Sequence, residues 1–223
     1  MLPATRTNPT TEEQSPAPVA QSETEVNSLL GAAQVAARAW GELPLHRRAR
    51  VLKAAAALLR QEREQLARMI TLEMGKPLTE SLAEIEKSAW NCEYVAEQAP
   101  GWLADHAVPT NAALSYVAYR PLGVVLAILP WNFPVWQVFR CAASALMAGN
   151  AVVLKHAPNV PQCAALITEL LRRAGVPPGV FQNLVIAVDK IAAVIRDPRI
   201  SAVTFTGSPA AGAAVAANAG AAC

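Results

Sequence analysis

Apolar side chains recur every three to four residues through the first part of the chain, then give way to short unbroken apolar runs separated by amphipathic stretches. The helical period comes first and predicts a helix over Val26–Trp40, whose small residues Ala32, Ala33, Ala36 and Ala37 suit close packing. A second predicted helix extends from about Leu45 to Met74, with Val51, Leu52, Ala55, Leu58, Leu59, Leu66, Met69 and Ile70 on one side and arginine and glutamate opposite. Gly75-Lys76-Pro77 supplies its stop. A third covers roughly Leu78–Trp102, with Thr79 or Ser81 as its cap and Glu80, Glu84 and Glu86 in the first turns, where the helix dipole favours carboxylates.

Around Ala113 the period falls to two. Leu114, Tyr116, Ala118 and Arg120 alternate with Ser115, Val117 and Tyr119, which predicts an exposed or edge strand over 112–120. Thereafter strands near 122–128, 151–154, 180–186 and 201–206 alternate with helices near 134–148, 161–174, 188–197 and 209–220. That order predicts an α/β fold, a doubly wound parallel sheet preceded by a helical region. Asn150 and Gly175 mark helix ends, and Val176-Pro177-Pro178-Gly179 is a stiff turn into the third strand. Met1 to about Glu25, rich in Pro, Thr, Ser, Glu and Gln, is predicted to be a disordered tail.

More than half of the 223 residues are hydrophobic and the formal charge is only +2. The densest basic cluster, Arg47, Arg48 and Arg50, reads as a solvated helix face, and a nucleic-acid surface would need a broader basic stripe. Cys92, Cys141, Cys163 and Cys223 show no metal-ligand spacing, so no zinc site is expected, and Cys141 and Cys163, among apolar residues of predicted helices, read as buried small side chains in a reducing compartment. No apolar stretch has the length of a membrane span, and residues 1–25 lack the basic and apolar regions of a signal peptide. A cytoplasmic protein is expected.

Chemistry concentrates at the predicted strand ends. Leu129-Pro130-Trp131-Asn132-Phe133-Pro134 follows a strand buried on both faces, so Asn132 stands where open α/β sheets collect ligands, unless it is only a helix cap. Val203-Thr204-Phe205-Thr206-Gly207-Ser208-Pro209 resembles an anion cradle: Gly207 admits a ligand to the backbone, Ser208 is an N-cap and Pro209 suits the first helical position. It fits neither standard nucleotide fingerprint, and a plain capped helix is its alternative reading. Lys155 ends a third strand at the same edge, where it either reaches a ribose or phosphate or is simply solvated. His156 reads as structural.

Pro121-Leu122-Gly123-Val124-Val125, Pro130-Trp131-Asn132-Phe133-Pro134, Ala148-Gly149-Asn150, Val153-Leu154-Lys155 and Phe205-Thr206-Gly207-Ser208 resemble, in order and spacing, the aldehyde dehydrogenase superfamily. Glu73-Met74-Gly75-Lys76-Pro77 with Glu80 and Glu84 is similar to that family's amino-terminal helical region, and the likeness runs from about Val26 to the last residue. Lys155-His156-Ala157-Pro158-Asn159-Val160 and Ala210-Ala211-Gly212-Ala213-Ala214 most resemble bacterial NAD(P)-dependent succinate-semialdehyde dehydrogenases. The resemblance implies a Rossmann-like cofactor domain that binds NAD or NADP, an aldehyde substrate, and a homo-oligomer for the full-length enzyme. It implies that Asn132 donates to an oxyanion, that Lys155 holds the adenosine ribose, that Gly207 and Ser208 hold the pyrophosphate, and that Ile128, Leu129, Pro130 and Trp131 line the cofactor cleft. Arg140, eight residues after Asn132, matches the arginine that semialdehyde dehydrogenases offer to the distal carboxylate, the alternative being a solvated side chain or a pair with Glu169.

The departures bear on activity. The family's Glu-Leu-Gly-Gly strand with its general base, and the later nucleophilic cysteine, find no match here, and Cys223, fifteen residues beyond Ser208, is not at the nucleophile position. The expectation is a truncated, inactive and poorly soluble form without its catalytic domain, against the alternative of a non-catalytic dinucleotide-binding or interaction module. Pro158 replaces a frequent glutamate three residues after the lysine, which leaves NAD against NADP open, and the glycine usual after the third strand is absent near Val185-Ile186.

Overall fold

The computed structural model of the chain describes residues 5–222. Strands β1 (Thr5–Thr7) and β2 (Gln14–Pro16) form an antiparallel hairpin ahead of helices α1 (Glu23–Gly41), α2 (Leu45–Gln61), α3 (Arg63–Met74) and α4 (Leu78–Trp102). Two short strands, β3 (His106–Ala107) and β4 (Tyr116–Val117), pair antiparallel. The remainder alternates: β5 (Val124–Leu129), α5 (Trp136–Met147), β6 (Ala151–His156), α6 (Pro161–Arg173), β7 (Phe181–Asn183), a 3-10 turn over Val188–Lys190, α7 (Ile191–Ile195), β8 (Ile200–Phe205) and α8 (Pro209–Gly220).

The four last strands form one parallel sheet in the order β7-β6-β5-β8. Chain order reverses beside β5, which creates a topological switch point between β5 and β8, and ligands of doubly wound sheets bind outside the carboxyl ends at such a point. Residues on β5 and β6 alternate between two cores because successive side chains point to opposite faces. Ala127, Leu129, Val152 and Leu154 join α2 to α6 on one face, while Val124, Leu126, Ile128, Ala151 and Val153 meet Leu30, Ala33 and Ala37 of α1 and Val194 and Ile195 of α7 on the other. The small-residue face of α1 packs on the turn before β7, where Gly179 at φ +87° would set a Cβ within 2.8 Å of the Ala32 carbonyl oxygen and Ala36 Cβ.

Six expectations need correction. Residues 5–22, placed in a disordered tail, carry the hairpin: Asn8 Oδ1 accepts the Thr10 N–H at 2.9 Å to close its turn. Gln21 then exchanges bonds with Val185, backbone N–H to carbonyl and Val185 N–H to Gln21 Oε1, both at 2.9 Å, so local turn chemistry and a borrowed strand end replace the missing apolar burial. Helix α1 starts three residues early because Ser22 and Glu25 form a capping box. The long second helix is two helices bent at Glu62, so that both pieces pack against α4. Thr79 and Ser81 lie inside α4 and do not cap it; Pro77 stands at its N-cap, and Ser81 is buried beside Thr71. Arg48 is buried, donating to the carbonyls of Met147 at 2.9 Å, Gly41 at 3.2 Å and Leu43, and so ties the ends of α1 and α5 together. The strand expected over 112–120 is reduced to the two residues of β4. Cys223 lies outside the described residues.

Candidate functional site

Register places the candidate residues at one edge. Ile128 of β5 stands level with Lys155 of β6 and with Phe205 of β8, and the Thr206 N–H donates to the Ile128 carbonyl at 3.1 Å. Adjacent parallel strands lie about 4.8 Å apart, so the three strand ends fall within about 10 Å of one another. Pro130, Trp131 and Asn132 leave β5 at this edge with Trp131 and Asn132 exposed, and Gly207 and Ser208 leave β8 beside them.

On the β8 side, Ser208 takes the extended conformation of an N-cap and its Oγ accepts the Ala211 N–H at 3.3 Å, with Pro209 in the first turn of α8. Gly207 has a packing reason as well as a ligand one: a Cβ there would stand 2.4 Å from Phe205 Cζ. The ring of Phe205 thus lies beneath the turn and would have to move to admit any larger residue above it. Arg140 crosses to the same place, its Nη2 donating to Thr206 Oγ1 at 3.0 Å, while Glu169 pairs with Arg172 instead. Gln137, one helical turn before Arg140 on the same face, has a buried Oε1 that is the single unpartnered buried side-chain polar atom among the described residues.

On the β6 side, Lys155 is buried, not solvated. Its Nζ donates to the His156 carbonyl at 3.1 Å in a cleft also lined by Pro158, Asn183, Ile186 and the incoming Ala17 and Pro18. An ammonium carries three donors, so two remain for a ligand. Burial pulls its pKa below the ordinary lysine value. His156 faces the opposite core: its Nε2 donates to the Pro134 carbonyl at 2.8 Å and its Nδ1 accepts the Ala157 N–H at 2.9 Å, which fixes one neutral tautomer. Burial drives its pKa down to about 4.

The residues that hold this edge in place include two that the sequence pattern did not single out for the purpose. Helices α5 and α6 have Val135 and Val160 at their N-caps, neither of which can cap with a side chain. Carboxylates from the amino-terminal helices do it from a distance. Glu84 Oε1 accepts the N–H groups of Val135 and Trp136 at 2.8 and 2.9 Å, and Glu73 accepts those of Gln162 and Cys163, both at 2.8 Å. Glu84 also pairs with Lys76, their side chains being 1% and 9% exposed, and the Lys76 ammonium lies 3.6 Å from the centre of the Phe133 ring. The signal that could have revealed these caps was the absence of Ser, Thr, Asp or Asn where each helix begins.

The cysteines are placed for packing. Cys92 and Cys163 are buried and Cys141 is half-buried. Burial raises the Cys92 thiol to about 12 and the Cys141 thiol to about 11, far from the thiolate that nucleophilic attack requires. Among the described residues, no three His, Cys, Asp or Glu side chains gather as metal ligands, and no helix is long and apolar enough to cross a membrane.

The pattern of the aldehyde dehydrogenase family matches residues 3–223. A probable succinate-semialdehyde dehydrogenase (NADP+) of Synechocystis sp. is 47% identical over 209 residues, 94% of this chain and 46% of that protein. The succinate semialdehyde dehydrogenase (NAD(P)+) Sad of Escherichia coli K12 is 44% identical over 216 residues, 96% of this chain and 46% of its own. The solved succinic semialdehyde dehydrogenase of Streptococcus pyogenes, in complex with NADP+, superposes with a TM-score of 0.94 at 32% identity, over 99% of this chain and 49% of that one. The chain spans about half the length of the curated relatives it matches.

Proposed function

The chain belongs to the aldehyde dehydrogenase family, and on that premise we propose that its 223 residues form the dinucleotide-binding and oxyanion-stabilising part of an NAD(P)-dependent dehydrogenase for an aldehyde with a distal carboxylate, succinate semialdehyde being the substrate. The observation that supports the reading is that β5 and β8, the strands that Asn132 and Ser208 follow, are neighbours at the switch point, and that Arg140 bonds Thr206 at the end of β8.

The residues present fit a dinucleotide. The buried Lys155 ammonium has donors to spare for ribose hydroxyls, and Gly207 and Ser208 open a helix whose amino-terminal end favours a pyrophosphate. Ile128, Leu129, Pro130, Trp131 and Asn132 form the wall between those two places. When bound, the nicotinamide accepts a hydride from the substrate carbon. The Asn132 side-chain amide donates to the oxygen of the aldehyde as negative charge develops on it, and the Arg140 guanidinium takes the distal carboxylate through paired bonds. NADP use is favoured by the relatives named above, two of which carry that coenzyme in their names or crystals.

A second reading, a dinucleotide-binding module that performs no chemistry alone, draws support from the burial of Cys92 and Cys163. Attack on the aldehyde needs a thiolate, which these thiols do not supply. The two readings meet in one experiment. Titration of the 223-residue chain with NADP and NAD is expected to show binding, and incubation with succinate semialdehyde and coenzyme to show no reduced coenzyme. Turnover by these residues would overturn the non-catalytic reading, and failure to bind either coenzyme would overturn both.

A further inference from the structure

We propose that Lys76 is a positioning residue for Asn132, acting through the ring of Phe133 and the carboxylate of Glu84. The inference rests on the reading of Asn132 as the oxyanion donor. Gly75, in the left-handed region at φ 77°, ends α3 and turns the chain so that Lys76 enters the interior. Its ammonium there meets two groups at once, the Glu84 carboxylate and the face of Phe133 at 3.6 Å.

The four residues after Asn132 are each held. Phe133 lies under the ammonium, the Pro134 carbonyl receives the His156 Nε2–H, and the Val135 and Trp136 N–H groups are taken by Glu84. Glu84 alone would cap α5, so capping does not explain why the ammonium sits on a ring that is 43% exposed. A cation over an aromatic face fixes the position of the ring. With the Phe133 ring fixed on one side and the buried Leu129 on the other, the Pro130-Trp131-Asn132 arc is held at both ends and presents the amide in one place. Lys76 touches no reacting group; its effect passes through Phe133 and Glu84.

Hydrogen exchange of the 223-residue chain, followed by mass spectrometry over 131–136, tests this without any turnover. Phe133→Leu removes the ring and keeps the ion pair, Lys76→Met removes the charge, and Lys76→Arg restores charge and ring contact. Exchange over 131–136 is expected to rise on the order of tenfold in the first two variants with β5 and β6 unchanged, and to return to its original rate in the third. Unchanged exchange in Phe133→Leu, or a rise that includes β5 and β6, would overturn the proposal. Should Lys76→Met fail to fold, the other two variants decide. The oxyanion reading fails separately: if a longer protein containing these residues keeps its turnover after Asn132→Ala, that reading is lost while the exchange result stands.

Discussion

Two adjacent residues at the end of β6 divide their labour by the alternation of the strand. Lys155 points to the cleft shared with β7, and His156 to the opposite core, where it holds the Pro134 carbonyl. A bond from the ammonium to a ribose or phosphate oxygen is worth about 1.5–3 kcal/mol, so Lys155→Met should weaken NADP binding by roughly tenfold or more, measured by calorimetric titration; equal affinity would remove Lys155 from the cofactor site. His156 makes the opposite prediction, about stability. Its folded-state pKa of about 4 lies below the ordinary 6.5, so the folded form binds its proton less readily than the unfolded form. The contribution is therefore complete above pH 6.5 and is lost as pH falls from there toward 4, by up to about 3 kcal/mol in all. Thermal melts between about pH 7 and about pH 4.5 should show a steeper fall for the unaltered chain than for His156→Gln, which keeps a donor for Pro134 without a titrating ring. Parallel curves would show that the pKa of His156 is not lowered by folding.

Between elements, the distinguishing device is the remote cap. Glu73 on α3 and Glu84 on α4 supply the carboxylates that α6 and α5 lack at their own starts, which locks the amino-terminal helices to the sheet domain at its ligand edge. Glu84→Ala leaves the Val135 and Trp136 N–H groups without their acceptor and strands Lys76 in a buried place, a loss of about 3–5 kcal/mol. Glu84→Gln keeps one acceptor oxygen for those amides and should cost less. Denaturant unfolding of both variants tests the order, and an equal or reversed cost would show that the ion pair, not the cap, carries the effect. This device marks the boundary of what the sequence could reveal. β5 and β6 are legible because six and four apolar residues in a row have few other uses, and Asn132, Lys155 and Ser208 are legible because each follows or closes a strand or opens the next helix. Glu73 and Glu84 stand out in the sequence only through the family resemblance and, for Glu84, a first-turn position; their capping roles are not legible there, since their partners lie 51 to 90 positions away and no local period encodes that. Arg48 was misread for the same reason: its carbonyl partners gather only when α1, α2 and α5 have packed. The hairpin before α1 was missed because its order comes from single bonds at Asn8 and Gln21, not from buried area.

At the scale of the molecule, the two edges of the sheet are treated differently. β7 is short, and the segment leading into α1 closes over its end through Gln21 and Val185. β8 is six residues long, and among the described residues no strand lies on its outer side. Its sequence, Ile200-Ser201-Ala202-Val203-Thr204-Phe205, contains no charge and no proline, the two features that most often keep an edge from pairing with another chain. Both Val203 and Phe205 are only partly covered, with α8 as the thin layer over them. An unpaired edge of that length offers a row of backbone donors and acceptors to a second copy, and exposed apolar flanks add to the attraction. The 223-residue chain is therefore expected to self-associate as its concentration rises, read as mass by sedimentation or light scattering. Thr204→Lys tests whether β8 is the route. Thr204 pairs with Ala127 in the middle of the β5–β8 ladder, so a lysine there sets a like charge against its copy in any edge-to-edge pair while the parallel bonds to β5 remain. The variant should shift the population toward monomer with little change in melting temperature. A chain that stays monomeric without the substitution would overturn the expectation, and an association that Thr204→Lys leaves untouched would place the sticking surface elsewhere, with the exposed Trp90, Tyr94 and Trp102 cluster on α4 as the next surface to alter.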